Sequence, residues 1–238
     1  MRALRLRLFQ ETACYKKPFA YKVSETYPLP PYSTVKGMLH AVLEATEYIP
    51  MLLSIQGKYD TIVTDYQTHY FFKKDKTAEF PITLDGLALE RNYTDITTMP
   101  IYMHLLYNVQ LLIHVYAEEY VLKQLIKGFE TQTTYLSLGR WEDLVRIDEC
   151  ELVELQLLKE GEERELAWNA FVPDYLLDDL TYMPYRLNWK YDVVHNVRIW
   201  EKVEAGYVQA GQTIEADEDP IYIDQDGELV FFHAKNLT

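Results

Sequence analysis

Arg2 to Phe9 reads Arg-Ala-Leu-Arg-Leu-Arg-Leu-Phe, with Leu4, Leu6 and Leu8 on one side of a period-two repeat and Arg5 and Arg7 on the other. This alternation predicts a half-buried strand with a basic outer face. Residues 10–32 hold no long periodic segment, and Pro18, Pro28, Pro30 and Pro31 make them an extended loop. Its tip, Ala13-Cys14-Tyr15-Lys16-Lys17, mixes aromatic and basic side chains. The period then changes. Val35, Met38, Leu39, Val42 and Leu43 recur at helical spacing, and Ser33 or Thr34 supplies an N-cap, so a helix is expected to near Glu47. Residues 58–72 alternate as a strand. A polar stretch, Lys73-Lys74-Asp75-Lys76-Thr77, leads into irregular sequence as far as Pro100. That is long for a plain connection and predicts a functional insertion such as a projecting hairpin.

The apolar run Asn108 to Tyr116 predicts a buried strand, and Glu118 to Phe129 a second helix with acids at its start and Lys123 and Lys127 near its end. A glycine-containing turn over 135–143 precedes strand-like 144–158. The remainder reads as short strands and turns: a charged turn around Gly161, an acidic loop from Thr213 to Asp219, and a Tyr222–Phe232 hairpin with an Asp-Gly turn. The order strand, helix, strand, insertion, strand, helix, strand is the split βαβ pattern of ferredoxin-like and RRM-like α+β domains.

Charge complicates any inference about partners. The net charge is −14 over 238 residues, which taken globally argues against nucleic acid, since phosphate-binding domains are usually basic. Yet residues 1–36 hold seven basic and two acidic residues, net +5, while residues 151–238 hold seven basic and nineteen acidic, net −12. This asymmetry predicts a basic face on an acidic body, two faces with different partners. Twenty tyrosines supply stacking surface. Cys14 and Cys150 form no metal-ligand spacing, so reduced thiols in a cytoplasm are expected, with no zinc ribbon and no cofactor. The first residues lack an apolar leader core, and no apolar run approaches the roughly 18 residues of a membrane helix, so neither signal peptide nor membrane partner is expected.

Four groups of residues are candidates for RNA contact. Lys16 and Lys17 beside Tyr15 could hold phosphate and stack a base; the alternative is a solvated loop. Tyr32, Ser33, Thr34 and Lys36 open the first helix, whose N-terminal N–H groups attract phosphate; the alternative is an ordinary cap. Leu138-Gly139-Arg140 offers close backbone approach and a guanidinium fork; the alternative is a glycine needed for its φ alone, with Arg140 paired to Glu142 or Asp143. Lys73, Lys74 and Lys76 could clamp a polynucleotide or line a solvated turn. The histidines at 40, 69, 104, 114, 195 and 233 form no HExxH and no cysteine cluster, and no GxSxG occurs. A metal-independent ribonuclease needs only a His or Lys base, which spacing does not reveal.

The stretches Glu25 to His40 and Tyr135 to Leu144, taken together, resemble the fifth CRISPR-associated (Cas) protein family, and more narrowly the type I-B branch within the RAMP superfamily. The resemblance runs the whole length of the chain. It implies an RRM-like domain over 1–145 with a β-hairpin thumb at about 73–100, and a small C-terminal β domain over 146–238. It also implies a non-catalytic subunit of a Cascade-type surveillance complex in antiviral defence. Such a subunit holds the 5′ handle of the CRISPR RNA, caps the backbone-subunit filament, contacts the large subunit and meets target DNA indirectly. The superfamily's glycine-rich loop falls on Ser137 to Arg140, with one glycine only. The type I-C branch cleaves precursor RNA with a Tyr, Lys and His set that is not carried over. Two rival readings stand beside this one: a metal-independent precursor-RNA endonuclease, and a purely structural docking subunit.

Overall fold

A computed structural model describes residues 1–18, 20, 23–72, 96–217 and 219–233. In chain order it has β1 (Arg2–Ala13), β2 (Val23–Ser24), α1 (Tyr32–Val42), β3 (Leu52–Lys58), β4 (Thr61–Phe72) and β5 (Ile96–Tyr116). Next come α2 (Glu119–Thr131), β6 (Arg146–Leu157), β7 (Glu163–Glu165) and β8 (Asn169–Pro173). A 3₁₀ turn at Asp174–Leu176 leads to β9 (Tyr182–Val194), β10 (Val197–Val208), β11 (Thr213–Glu215), β12 (Tyr222–Asp224) and β13 (Leu229–Val230).

Strands β6, β1, β5 and β3 lie side by side in that order, each antiparallel to its neighbours. The sheet continues past β6 into β12 and β13, and past β3 into β8, β10 and β9. The first half of the long β5 pairs instead with β4, from Phe72↔Ile96 to Thr61↔Tyr107, and this two-stranded arm carries the chain toward residues 73–95. The result is a mixed α/β fold, mostly antiparallel sheet with few helices. No helix among the described residues is long and apolar enough to cross a membrane.

The leucines of β1 behave as their period predicts: Leu4, Leu6 and Leu8 are buried in one core with Val35 and Leu39 of α1 and Leu122 and Leu125 of α2. The two helices approach closely at Gly128, where a Cβ would lie 2.6 Å from Val42 Cγ1 and 2.9 Å from the Val42 carbonyl. Helix α1 starts at Tyr32, so the candidate caps Ser33 and Thr34 lie inside its first turn and Pro31 takes the cap position. Its first N–H groups, Thr34 and Val35, donate to the Pro31 carbonyl, and no side chain caps it.

The opposite face of β1 corrects the expectation of a basic outer surface. Arg5 is 3 % exposed, because the segment from Asp224 to Phe231 crosses over it. Arg5 donates to Glu149, Glu151, Asp224 and Asp226. Arg7 donates to Glu228, and Arg2 pairs with Glu119. Gln56 Nε2 donates to the Leu229 carbonyl, and the Phe231 N–H donates to Ser54 Oγ at 3.0 Å. The N-terminal arginines therefore neutralise acidic residues of α2, β6 and the β12–β13 turn.

The C-terminal residues add strands at both edges of the sheet and build a second core of their own, with Leu166, Val172, Val208, Ile214 and Phe231. Residues 182–208, expected as short strands and turns, form the long β9–β10 hairpin. Its turn, His195–Asn196, holds both residues at positive φ, 50° and 61°, which is the mirror-type turn that matches strand twist without the usual glycine signal. The acidic Thr213–Glu215 segment, expected as loop, pairs with β7.

Candidate nucleic-acid interface

The glycine loop and the Cys14–Lys17 tip are one construction, joined by two buried side chains. Gln10, in the last third of β1, donates through Nε2 to the Leu138 and Asp143 carbonyls, at 2.9 and 3.0 Å. Asp143, with no exposed side-chain surface, accepts from the Cys14 N–H at 3.0 Å and the Arg140 N–H at 2.8 Å. Gly139 sits between them at φ +114°, where a Cβ would lie 2.7 Å from Asp143 Oδ2 and 3.1 Å from the Cys14 carbonyl. Only glycine fits. Ser137 bridges to Leu144 and closes the loop.

Arg140 lies beside this loop, as its position suggested, but its guanidinium is held by Asp143 at 2.6 Å and Glu142 at 2.9 Å. The acid that organises the loop, Asp143, is visible in the sequence only as a possible partner of Arg140, three positions away.

Tyr15 and Tyr32 are core residues, so neither ring is presented to a base. Tyr15 is 2 % exposed and its hydroxyl donates to Gln10 Oε1 at 2.6 Å; Tyr32 has no exposed surface and meets the rings of Phe171, Trp189 and His233. Both look like surface residues in the sequence because each stands beside lysines or prolines.

Lys16 is exposed, and Lys17 is half-exposed with Glu25 Oε2 at 3.4 Å and the Tyr185 ring at 5.8 Å. Lys17 forms the rim of a groove of about 380 Å³ whose walls include Thr26, Tyr59, His104, Tyr185 and Tyr207. This groove lies where the Pro-rich loop, the base of the β4–β5 arm and the β9–β10 hairpin meet. Residues paired across an antiparallel ladder share a face. Thr64↔His104 and Tyr66↔Tyr102 thus continue the groove face along the arm, where Tyr66 and Tyr102 are 59 % and 50 % exposed and meet edge to face at 5.6 Å. The sequence singled out none of these aromatic residues, because they come together from four separate stretches of chain.

Ser33 and Lys36 face a different pocket, of about 330 Å³, between α1 and β9. Lys36 is 3 % exposed. Its Nζ lies 3.2 Å from the Trp189 ring centroid and donates to the Tyr48 hydroxyl at 3.1 Å. Burial, reinforced by repulsion from Lys190, pulls the Lys36 ammonium down to about 7. His40, one turn on, is consumed by backbone: Nε2 accepts from the Ile49 N–H at 2.9 Å, so Nδ1 carries the proton and donates to the Lys36 carbonyl at 2.7 Å. Lys73, Lys74 and Lys76 lie outside the described residues.

The profile of the family described as "CRISPR-associated protein (Cas_Cas5)" matches residues 3–234. No curated protein matches the sequence. Among solved structures, a chain of a "CRISPR RNA-guided surveillance complex" is similar in fold at TM-score 0.55 and 13 % identity, covering 95 % of this chain and 92 % of that one. A CRISPR protein from Archaeoglobus fulgidus is similar at TM-score 0.48 and 11 % identity, over 99 % of this chain and 100 % of that one.

Proposed function

Because the chain belongs to the CRISPR-associated protein (Cas_Cas5) family, we propose that it is a non-catalytic subunit of a type I Cascade surveillance complex, in the I-B branch, acting in antiviral defence. In this reading it binds the 5′ handle of the CRISPR RNA, caps the backbone filament, contacts the large subunit and meets target DNA indirectly, in the cytoplasm. The strand order β6-β1-β5-β3 with two helical crossovers supports a RAMP-type ferredoxin-like core, and the β4–β5 arm is the stem of the thumb.

The observation that carries RNA binding is the groove. Lys17 stands at the rim of a cleft walled by Tyr59, Tyr185 and Tyr207, exposed Lys16 precedes it in the chain, and exposed tyrosines continue along the arm. Cations beside aromatic faces are what a splayed single strand requires. The test is co-expression with the operon neighbours. Wild type co-purifies with guide RNA, and the Lys16/Lys17/Arg140 triple alanine variant does not. Assembly that ignores both the handle sequence and these residues would favour a purely structural docking subunit.

One observation favours the endonuclease as a second reading: His104 and Lys17 line the same groove, the minimal pair for metal-independent attack by a 2′-hydroxyl. Incubating the pure protein with repeat RNA in EDTA decides between them. Site-specific cleavage abolished by His104→Ala would make the protein an enzyme.

A further inference from the structure

The pocket between α1 and β9 lies away from the groove and holds a buried donor that lacks an acceptor beside a buried ammonium. Trp189 is 2 % exposed and lines the pocket, and its Nε1–H has no acceptor among the described residues. Lys36 Nζ donates one hydrogen bond, to Tyr48, and no carboxylate lies within ion-pair distance of it among the described residues. Glu201, bridged to Lys190 at 3.2 Å, acts on it electrostatically, and Glu47 is the carboxylate that lines the pocket itself. A buried ammonium with no carboxylate in contact is costly even on the face of an indole, and so is a buried N–H without an acceptor.

The walls are flat. Tyr48 and Tyr191 are 47 % and 43 % exposed at the mouth, Trp200 meets Tyr191 edge to face at 5.0 Å, and Arg198 lies 4.6 Å over the Tyr191 ring. Aromatic walls take a planar ring, and the buried ammonium with the indole N–H takes anionic or carbonyl oxygens. A volume near 330 Å³ suits one such unit rather than a chain of them.

We infer that this pocket binds a single nucleotide, its base against the aromatic walls and its phosphate or base carbonyl on Lys36 and Trp189. The inference rests on the RNA-binding reading only for where the nucleotide comes from, an RNA strand or free solution. An anion arriving beside Lys36 favours the charged amine, so binding at mildly alkaline pH draws a proton onto Lys36.

The test titrates the full chain by calorimetry with adenosine 5′-monophosphate and with a short single-stranded RNA, in two buffers of different ionisation enthalpy. Expected are saturable binding of at least one probe, proton uptake, and affinity weaker by about tenfold or more in Lys36→Met, which cannot donate a charge-assisted hydrogen bond. Tighter binding of the RNA assigns the nucleotide to a strand; equal binding of the monophosphate assigns it to free solution. The Lys16→Ala/Lys17→Ala variant separates the two sites: retained monophosphate binding with abolished RNA binding leaves both readings standing. Retained RNA binding in that variant, with loss in Lys36→Met, removes the groove reading alone. Proton uptake in wild type tests the inference independently of the variant. Binding of neither probe, or binding without proton uptake and unchanged in Lys36→Met, overturns it.

Discussion

Arg5 Nη1 donates to Asp224 Oδ2 at 2.7 Å across 219 residues of sequence, with side chains 3 % and 0 % exposed. This pair ties the first strand to the last turn, and Glu149, Glu151 and Asp226 gather on the same guanidinium. Removing the cation leaves four carboxylates with no shared partner. Arg5→Met is therefore expected to cost about 3–5 kcal/mol in urea unfolding, with part recovered in the double variant Arg5→Met/Asp224→Leu. A loss below about 1 kcal/mol, the scale of an exposed pair, would show that the cluster does not hold the turn.

Stability should fall on acidification in two stages. Burial lowers the His114 imidazole below its ordinary value, although its Nε2 hydrogen bond to Asp224 pulls the other way. The unfolded chain therefore takes up a proton that the folded chain refuses, and stability drops as pH falls below about 6.5. Burial pushes the Asp224 carboxyl up, but hydrogen bonds from His114, Arg5 and the Glu228 N–H outweigh it and hold it well below the carboxylate range. Its contribution is complete above about pH 4 and is lost below that. Urea unfolding across this range should show both slopes, and Asp224→Asn should remove the second.

Lys36 gives a slope at the other end of the scale. Its folded value near 7 lies below the unfolded value of about 10.4. Between these, the unfolded chain holds a proton the folded chain has released, so stability rises with pH. Below 7 the cost of the buried charge is fully present, eased by the Trp189 and Tyr48 faces. Lys36→Met, nearly equal in volume, should raise stability at neutral pH by about 1–3 kcal/mol and flatten the alkaline slope. Thermal melts at three pH values read both effects.

Lys16 and Arg140 should fail differently. Lys16→Ala/Lys17→Ala removes surface cations, so the melting temperature stays near wild type while the salt dependence of RNA binding falls by about 0.7 for each phosphate no longer neutralised. Arg140→Ala leaves Asp143 buried without its guanidinium, and is expected to lower stability by about 3 kcal/mol as well as RNA affinity. Paired melts and anisotropy titrations at several salt concentrations distinguish the two.

Gly139→Ala places a methyl against Asp143 and the Cys14 carbonyl at a left-handed φ. The strain is on the order of 1–3 kcal/mol, and the loop should detach from Cys14–Tyr15. Increased reactivity of the buried Cys14 thiol toward a thiol reagent, compared with wild type, is the measurement.

The order of the principal elements and the inward face of β1 are written in the sequence, because period-two and period-3.6 patterns are local and need no partner to be read. The glycine loop is legible there too, since Gly139 answers to its own backbone. The fate of the charges is a matter of tertiary structure. The arginines of the first 36 residues can be counted, but their partners stand more than a hundred positions away, so the +5 is largely spent on the chain's own acids. For the same reason Tyr15 and Lys36 sink into the interior, although their neighbours in sequence are polar. The groove of Tyr59, His104, Tyr185 and Tyr207, and the pocket of Lys36 and Trp189, exist only through strand pairing at long range. No local pattern encodes a surface whose walls come from four parts of the chain.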